Sequence, residues 1–189
     1  FAIKDVIITD TLGDGQTFNS SFVPKLVLII DGTTINLDFD NSGALPEFTA
    51  IYHPYIGVPD PAAGTTTLTF YLSNLLINRG YSGVLTGGLY DDRQVNKGAT
   101  TGNITFQSTI DLAYNNPDSH PGGNKELVSG DPVNNNVVIN GKLDHNDHPV
   151  SEASSAGVVI VRPGMEKNIY AINGSTIFDP AHKIAPGDT

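Results

Sequence analysis

The chain contains no cysteine, so any chemistry it performs must come from carboxylates, amides, amines and imidazoles. Asp38-Phe39-Asp40-Asn41-Ser42-Gly43 sets oxygen-bearing side chains at alternate positions and a glycine at the sixth, as the first half of a calcium loop does. The twelfth position is Thr49, where a bidentate carboxylate is required. Asp38, Asp40 and Ser42 are therefore a weak calcium candidate, and a turn at the end of a hairpin explains them more simply. Asp144-His145-Asn146-Asp147-His148 gathers enough ligand types for a surface metal, but neighbours within one loop rarely converge on an ion unaided. No serine sits in a nucleophile elbow, and the Asp91-Asp92 pair lies in a turn context. Enzymatic turnover is not expected.

A different kind of chemistry is suggested by Asp5-Val6-Ile7-Ile8-Thr9-Asp10-Thr11-Leu12-Gly13-Asp14-Gly15-Gln16-Thr17-Phe18, which carries a carboxylate at the end of a β-rich run and then turns on two glycines. A second motif lies near the other terminus: Glu166-Lys167-Asn168-Ile169-Tyr170-Ala171-Ile172-Asn173-Gly174, followed by Ile184-Ala185-Pro186-Gly187-Asp188-Thr189. Together with Gly102-Asn103-Ile104-Thr105-Phe106 and Asn134-Asn135-Asn136-Val137-Val138-Ile139, the chain resembles the isopeptide-forming fimbrial and collagen-adhesin-like domains of bacterial surface proteins. The resemblance implies an antiparallel, Ig-like β-sandwich of the adhesin type. It also implies an amide bond between lysine and asparagine side chains, with Asp10 as the promoting acid, Asn135 as the acceptor and Lys167 as the donor. Asn134 and Asn136 remain alternative acceptors.

Order along the chain matters to that expectation. In the family the lysine strand opens a domain and precedes its aspartate strand, whereas Lys167 follows Asp10 and Asn135 here. The chain therefore reads as a repeat cut out of register, and the partners of Lys167 are expected in a neighbouring unit. The Pro163-Gly164 turn separates a body over residues 1–162 from a C-terminal extension over 163–189, expected to be donated as a strand or to open the next repeat. Its assembly residues are Lys167, Ile169, Tyr170, Ala171 and Ile172; Ile169 and Ala171 lie on one face and Tyr170 and Ile172 on the other, so both faces are apolar.

Composition agrees with such a fold. β-rich runs recur at residues 6–9, 25–30, 33–39, 65–72, 103–110, 137–140, 157–161 and 167–172, separated by Gly, Pro, Asn and Asp. Asp31-Gly32 between two runs predicts a tight hairpin. Residues 73–79 predict a helical turn capped by Ser73, residues 113–132 a long exposed loop, and residues 141–156 a polar connector.

A net charge of −10 without a basic cluster excludes binding to a nucleic-acid backbone, and no apolar run is long enough for a membrane helix. No cofactor is expected, calcium being the one candidate. The functional expectation is a structural subunit or repeat of an extracellular fibre, adhesin stalk or matrix filament at the cell surface, joined head to tail to copies of itself by strand exchange. The alternative is a surface module that recognises a glycan or host protein through its long loops.

Overall fold

The computed structural model describes residues 2–30, 32–89, 97–117 and 126–160. Two unequal antiparallel sheets face one another across an apolar core, and a single short helix closes one end. The antiparallel β expectation and the near absence of helix are met in this form. The extension at 163–189, with Lys167, Ile169, Tyr170, Ala171 and Ile172, lies outside the described residues.

The wider sheet is organised on β1 (Ala2–Leu12). One side of β1 pairs with β11 (Pro132–Leu143), which pairs in turn with β12 (Pro149–Val159). The other side pairs with β6 (Thr66–Tyr71), which carries β5 (Phe48–Tyr52) beyond it. Residues Ala2 and Ile3, below the reach of β6, pair instead with β7 (Leu85–Leu89), and β7 pairs with β8 (Lys97–Ala99). The narrower sheet runs β4 (Thr33–Asp38), β3 (Lys25–Ile30), β9 (Thr101–Thr105). A small ribbon joins β2 (Gln16–Phe18) to β10 (Ser108–Ile110).

The predicted hairpin forms: β3 and β4 close on the Ile30–Thr33 pair, and Gly32 takes φ +75°, a conformation that glycine adopts without Cβ strain. Three other local expectations need correction. Residues 141–156 are no connector, because β11 and β12 form one long hairpin whose turn is the Asp144–His148 segment. Its solvent-facing Ser, Asn and Glu residues hid the alternation that a half-exposed strand produces. Residues 113–132 are not wholly exposed either. Tyr114 and Leu127 are buried with Val133 and Ile160 in a second small core, and the buried Asp14 carboxylate accepts backbone N–H groups of Gly15, Asn115 and Asn116 at 2.7–2.8 Å.

Ser73, thirdly, is no helix cap. It lies inside helix α1 (Leu72–Asn78), with its Oγ accepting the Val6 N–H at 2.8 Å and donating to the Gly83 carbonyl at 2.7 Å. The register of β1 against β11 shifts between Lys4 and Ile7, where Asp5 takes φ +52°. Ser73 thus serves the backbone of β1 where β6 has ended and β7 has not begun. The bulge needs a side chain there because a buried N–H without an acceptor is costly.

The helix end is secured by a buried ion pair. Glu47 is fully buried, and its carboxylate receives Arg79 Nη1 at 2.7 Å, Asn78 Nδ2 at 2.8 Å and the Asn41 backbone N–H at 3.0 Å. Arg79→Met should lower unfolding stability by about 3–5 kcal/mol, since it leaves the buried Glu47 carboxylate without its cation, and Glu47→Ala should cost less, because Arg79 is partly exposed and keeps Asp40. The double variant should lose much less than the sum, and a denaturant-unfolding double-mutant cycle measures the difference.

Candidate functional site

The inner face of the wide sheet places the residues of interest in rungs. Across β12, β11, β1, β6 and β5, one rung reads Glu152, Ile139, Ile8, Phe70, Phe48, and the next reads Ser154, Val137, Asp10, Leu68, Ala50. The third reads Ala156, Asn135, Leu12, Thr66, Tyr52. Strand pleating puts Asp10 on the same face as Val6, Ile8 and Leu12, so an acid occupies a position whose neighbours along β1 are core residues.

Asp10 and Asn135 are diagonal neighbours on adjacent strands, and the fold brings them together from 125 residues apart. Asn135 Nδ2 donates to Asp10 Oδ2 over 3.4 Å, a long contact. Asp10 is 7% exposed, and burial pushes its carboxyl up to about 6, against a hydrogen bond from Asn135 that acts to lower it. Asp10 Oδ1 and Asn135 Oδ1 are both buried without a hydrogen-bond donor among the described residues. Each such orphan costs about 1–3 kcal/mol. The pair thus presents two acceptor oxygens of the kind that an amine or ammonium donor serves. Asn135 is the asparagine of its run that shares a face with Asp10, whereas Asn134 and Asn136 project to the opposite face of β11.

The other candidates have local partners. Asp40 Oδ1 accepts from Ser42 N–H at 3.0 Å and from Arg79 Nη2 at 2.8 Å, and Arg79 Nη2 also reaches the Asp38 carbonyl at 3.1 Å. Hydrogen bonds from Ser42, and then the guanidinium, hold the Asp40 carboxyl down at about 2. The Asp40 carboxylate and the Asp38 carbonyl therefore engage an arginine, and Ser42 bonds Asp40. At the β11–β12 turn, Lys4 Nζ reaches Asp147 Oδ1 at 2.8 Å and Asp144 Oδ1 at 3.7 Å. Among the described residues no three metal-ligating side chains converge.

Sequence reasoning missed an apolar cavity lined by Ile8, Leu85, Gly102 and Ile139, of which Ile8 and Ile139 form the rung next to that of Asp10. The alternation Asn135, Val137, Ile139 was the available signal. No family model and no curated relative matches the chain. Among solved structures, it is similar to ACE19, the collagen-binding subdomain of the Enterococcus faecalis surface protein ACE, with 18% identity and a TM-score of 0.40. The match covers 83% of this chain and 77% of the other. No helix among the described residues is long and apolar enough to cross a membrane.

A raised carboxyl has a definite sign in stability. The folded state holds the Asp10 proton up to about pH 6, whereas the unfolded chain releases it near the ordinary aspartate value of 3.8. The contribution of Asp10 should thus be fully present below pH 4 and fall by roughly 2–3 kcal/mol as pH rises through 6. Denaturant unfolding of wild type and Asp10→Asn at pH 4 and pH 7.5 checks this, with the loss on raising pH smaller in the variant. A second measurement addresses calcium: chelation with EDTA should move the melting temperature little, because Arg79 already neutralises the Asp40 carboxylate.

Proposed function

We propose that the chain is a structural unit of an extracellular bacterial surface fibre or adhesin, joined head to tail to copies of itself by strand exchange and sealed by a lysine–asparagine amide. In this reading residues 1–162 form an Ig-like β body and residues 163–189 the donated extension. The observation that carries it is the Asp10–Asn135 pair, buried on the core face with two acceptor oxygens lacking donors. A buried polar pair of this kind adds nothing to packing and weakens the core, which is the expected signature of a group kept for a reaction or a partner.

The chemistry balances without an oxidant, metal or cofactor. In the reaction, the Lys167 ammonium of a neighbouring unit loses a proton in the low-dielectric site, helped by the Asp10 carboxylate, and the free Nζ attacks Cγ of Asn135. A C–N bond forms and the bond to Nδ2 breaks; the attacking nitrogen gives up a second proton, Asp10 passes one proton to the departing nitrogen, and ammonia leaves with one proton released to solvent. Asp10 suits this role because a carboxyl near pH 6 both accepts and returns a proton at neutral pH. The reaction occurs once per molecule, so the protein is a self-modifying structural element and no enzyme.

The alternative, a glycan- or protein-binding module working through its loops, finds less support. Tyr114, the aromatic available to a binding platform in residues 113–132, is 6% exposed and directs its hydroxyl to the Pro132 carbonyl.

Purified full-length chain, concentrated and boiled in detergent, should give a ladder of covalent oligomers. Each link should show a mass deficit of one ammonia. Lys167→Arg, Asn135→Ala and Asp10→Asn should each abolish the ladder, and Asn136→Ala should leave it intact. A ladder that persists in Asn135→Ala, or boiling-resistant links absent from wild type under all concentrations, would overturn the amide.

A further inference from the structure

Two apolar features lie toward opposite edges of the wide sheet. The first follows β5, which pairs with β6 and, among the described residues, forms the edge of that sheet. Residues 54–60 leave the end of β5 with Ile56 76% exposed and Val58 53% exposed, on either side of Gly57 at φ +88°. The loop is held at its base: the His53 N–H donates to the Thr65 carbonyl at 2.9 Å and the Gly64 N–H to the His53 carbonyl at 2.7 Å. Asn116 Nδ2 donates to the Asp60 carbonyl at 3.1 Å, and Pro54, Pro59 and Pro61 fix φ at three positions. A single exposed aliphatic residue needs no explanation, but two presented together on a loop braced in this way form a preorganised knob that loses little entropy on docking.

The second feature is a trough where the narrow sheet stops at β9 while the wide sheet continues past β1 to β11 and β12. Along the Ile139–Ile8–Phe70 rung, exposure falls from 39% at Ile139 to 1% at Phe70. One part of the trough, about 230 Å³, is bounded by Ile3, Val6, Leu85, Ile139 and Val150; the other, about 190 Å³, by Ile8, Leu28, Leu85, Gly102 and Ile139. Leu85 and Ile139 belong to both parts, and neither Asp10 nor Asn135 lines either. Such walls select aliphatic side chains. The chain's own knob does not reach them: Ile56 is three residues past His53, a span of about 10 Å at most. Strand β11 lies three strands from β5, about 14 Å across the sheet.

We propose that Ile56 and Val58 of one copy dock into the trough of a second copy, between Leu85, Ile139 and Val150, and so join molecules side by side. Every copy carries both an undocked aliphatic knob and an unfilled aliphatic trough, and one contact between copies satisfies the two together. Knob and trough are different surfaces, so the contact is heterologous: it leaves a free knob at one end and a free trough at the other, and it propagates. Residues 163–189 take no part, and the contact goes beyond the head-to-tail reading. Two side chains are far fewer than the roughly 20–30 residues a side of a stable complex, so one contact is weak. It gains strength by repetition when each fibre presents many units in a row. The chain carries a net charge of −10, so copies repel, and an apolar contact between them is strengthened when salt screens that repulsion.

Because the chain lacks cysteine, disulfide trapping in the full-length protein captures even a weak contact. Isotope-labelled chains carrying Val58→Cys are mixed under mild oxidation with unlabelled chains carrying Val150→Cys, or with chains carrying Ser155→Cys on the opposite face of β12 as the control acceptor. Trapping at position 150 should exceed that at 155 about tenfold and rise with salt. It should fall about tenfold when the donor also carries Ile56→Asp or the acceptor Ile139→Asp, and stay unchanged with Ile29→Asp, an exposed apolar position on β3. Cooperative melting of each variant verifies that it is folded, and the milder Ile56→Ser should weaken trapping in the same direction. Equal trapping at 150 and 155, trapping insensitive to Ile56→Asp, a predominant dimer linked through position 58 of both chains, or no trapping at all would each overturn the proposal. Ile56→Asp should leave the boiling-resistant ladder intact, so failure of the lateral contact and failure of the amide are separate results.

Discussion

A β-sheet face can be apolar only where something keeps water from it, and in this protein the sheet that does the covering is narrower than the sheet it covers. The wide sheet carries β12, β11, β1, β6 and β5 side by side; the narrow one offers β4, β3 and β9. The aromatic cluster of Phe39, Phe48, Phe70 and Phe106, with ring centroids 5.0–6.1 Å apart, fills the space where the two overlap. Past β1 the overlap ends, and the inner-facing side chains of β11 lose cover even though their pattern is still that of a core strand. The position of Asp10, on the boundary between these halves, follows from that mismatch.

Three buried carboxylates show how differently one fold treats the same group. Glu47 is matched by a guanidinium, an amide and a backbone N–H. Asp14 is matched by three backbone N–H groups and ties residues 115 and 116 to the glycine turn after β1. Both are closed structural nodes. Asp10 has one long contact from Asn135 and an oxygen with no donor, and its carboxyl rises to about 6 in consequence of burial. Desolvation without compensation is tolerable at one point in a domain of this size, and such points are where chemistry or partners are found.

The local devices around β1 are equally specific. A bulge at Asp5 and Val6 lets one strand pair with β6 above and β7 below, and Ser73 supplies the hydrogen bonds that neither strand provides at the changeover. Lys4 and Lys142 flank the bulge and pair with Asp147 and Asp5. These exposed pairs add little stability, but they hold the β11–β12 turn against the start of β1.

By itself the sequence determined the β class, the β3–β4 hairpin and the short helix, because these follow from local periodicity and from turn residues such as Gly32. It also nominated Asp10 and Asn135, through motif resemblance. Periodicity failed where strands are exposed: the polar residues of 141–156 looked like a loop, since a solvent-facing strand keeps its alternation only faintly. Ser73 looked like a cap because capping is a local property, whereas its real partners, Val6 and Gly83, arrive through tertiary packing. Only the tertiary structure decided that Asp10 and Asn135 are adjacent and that Asp40 belongs to Arg79. It alone placed Ile8, Gly102 and Ile139 around one trough, for the physical reason that such contacts join strands far apart in the chain, and the register between those strands is set by the summed packing of two whole sheets.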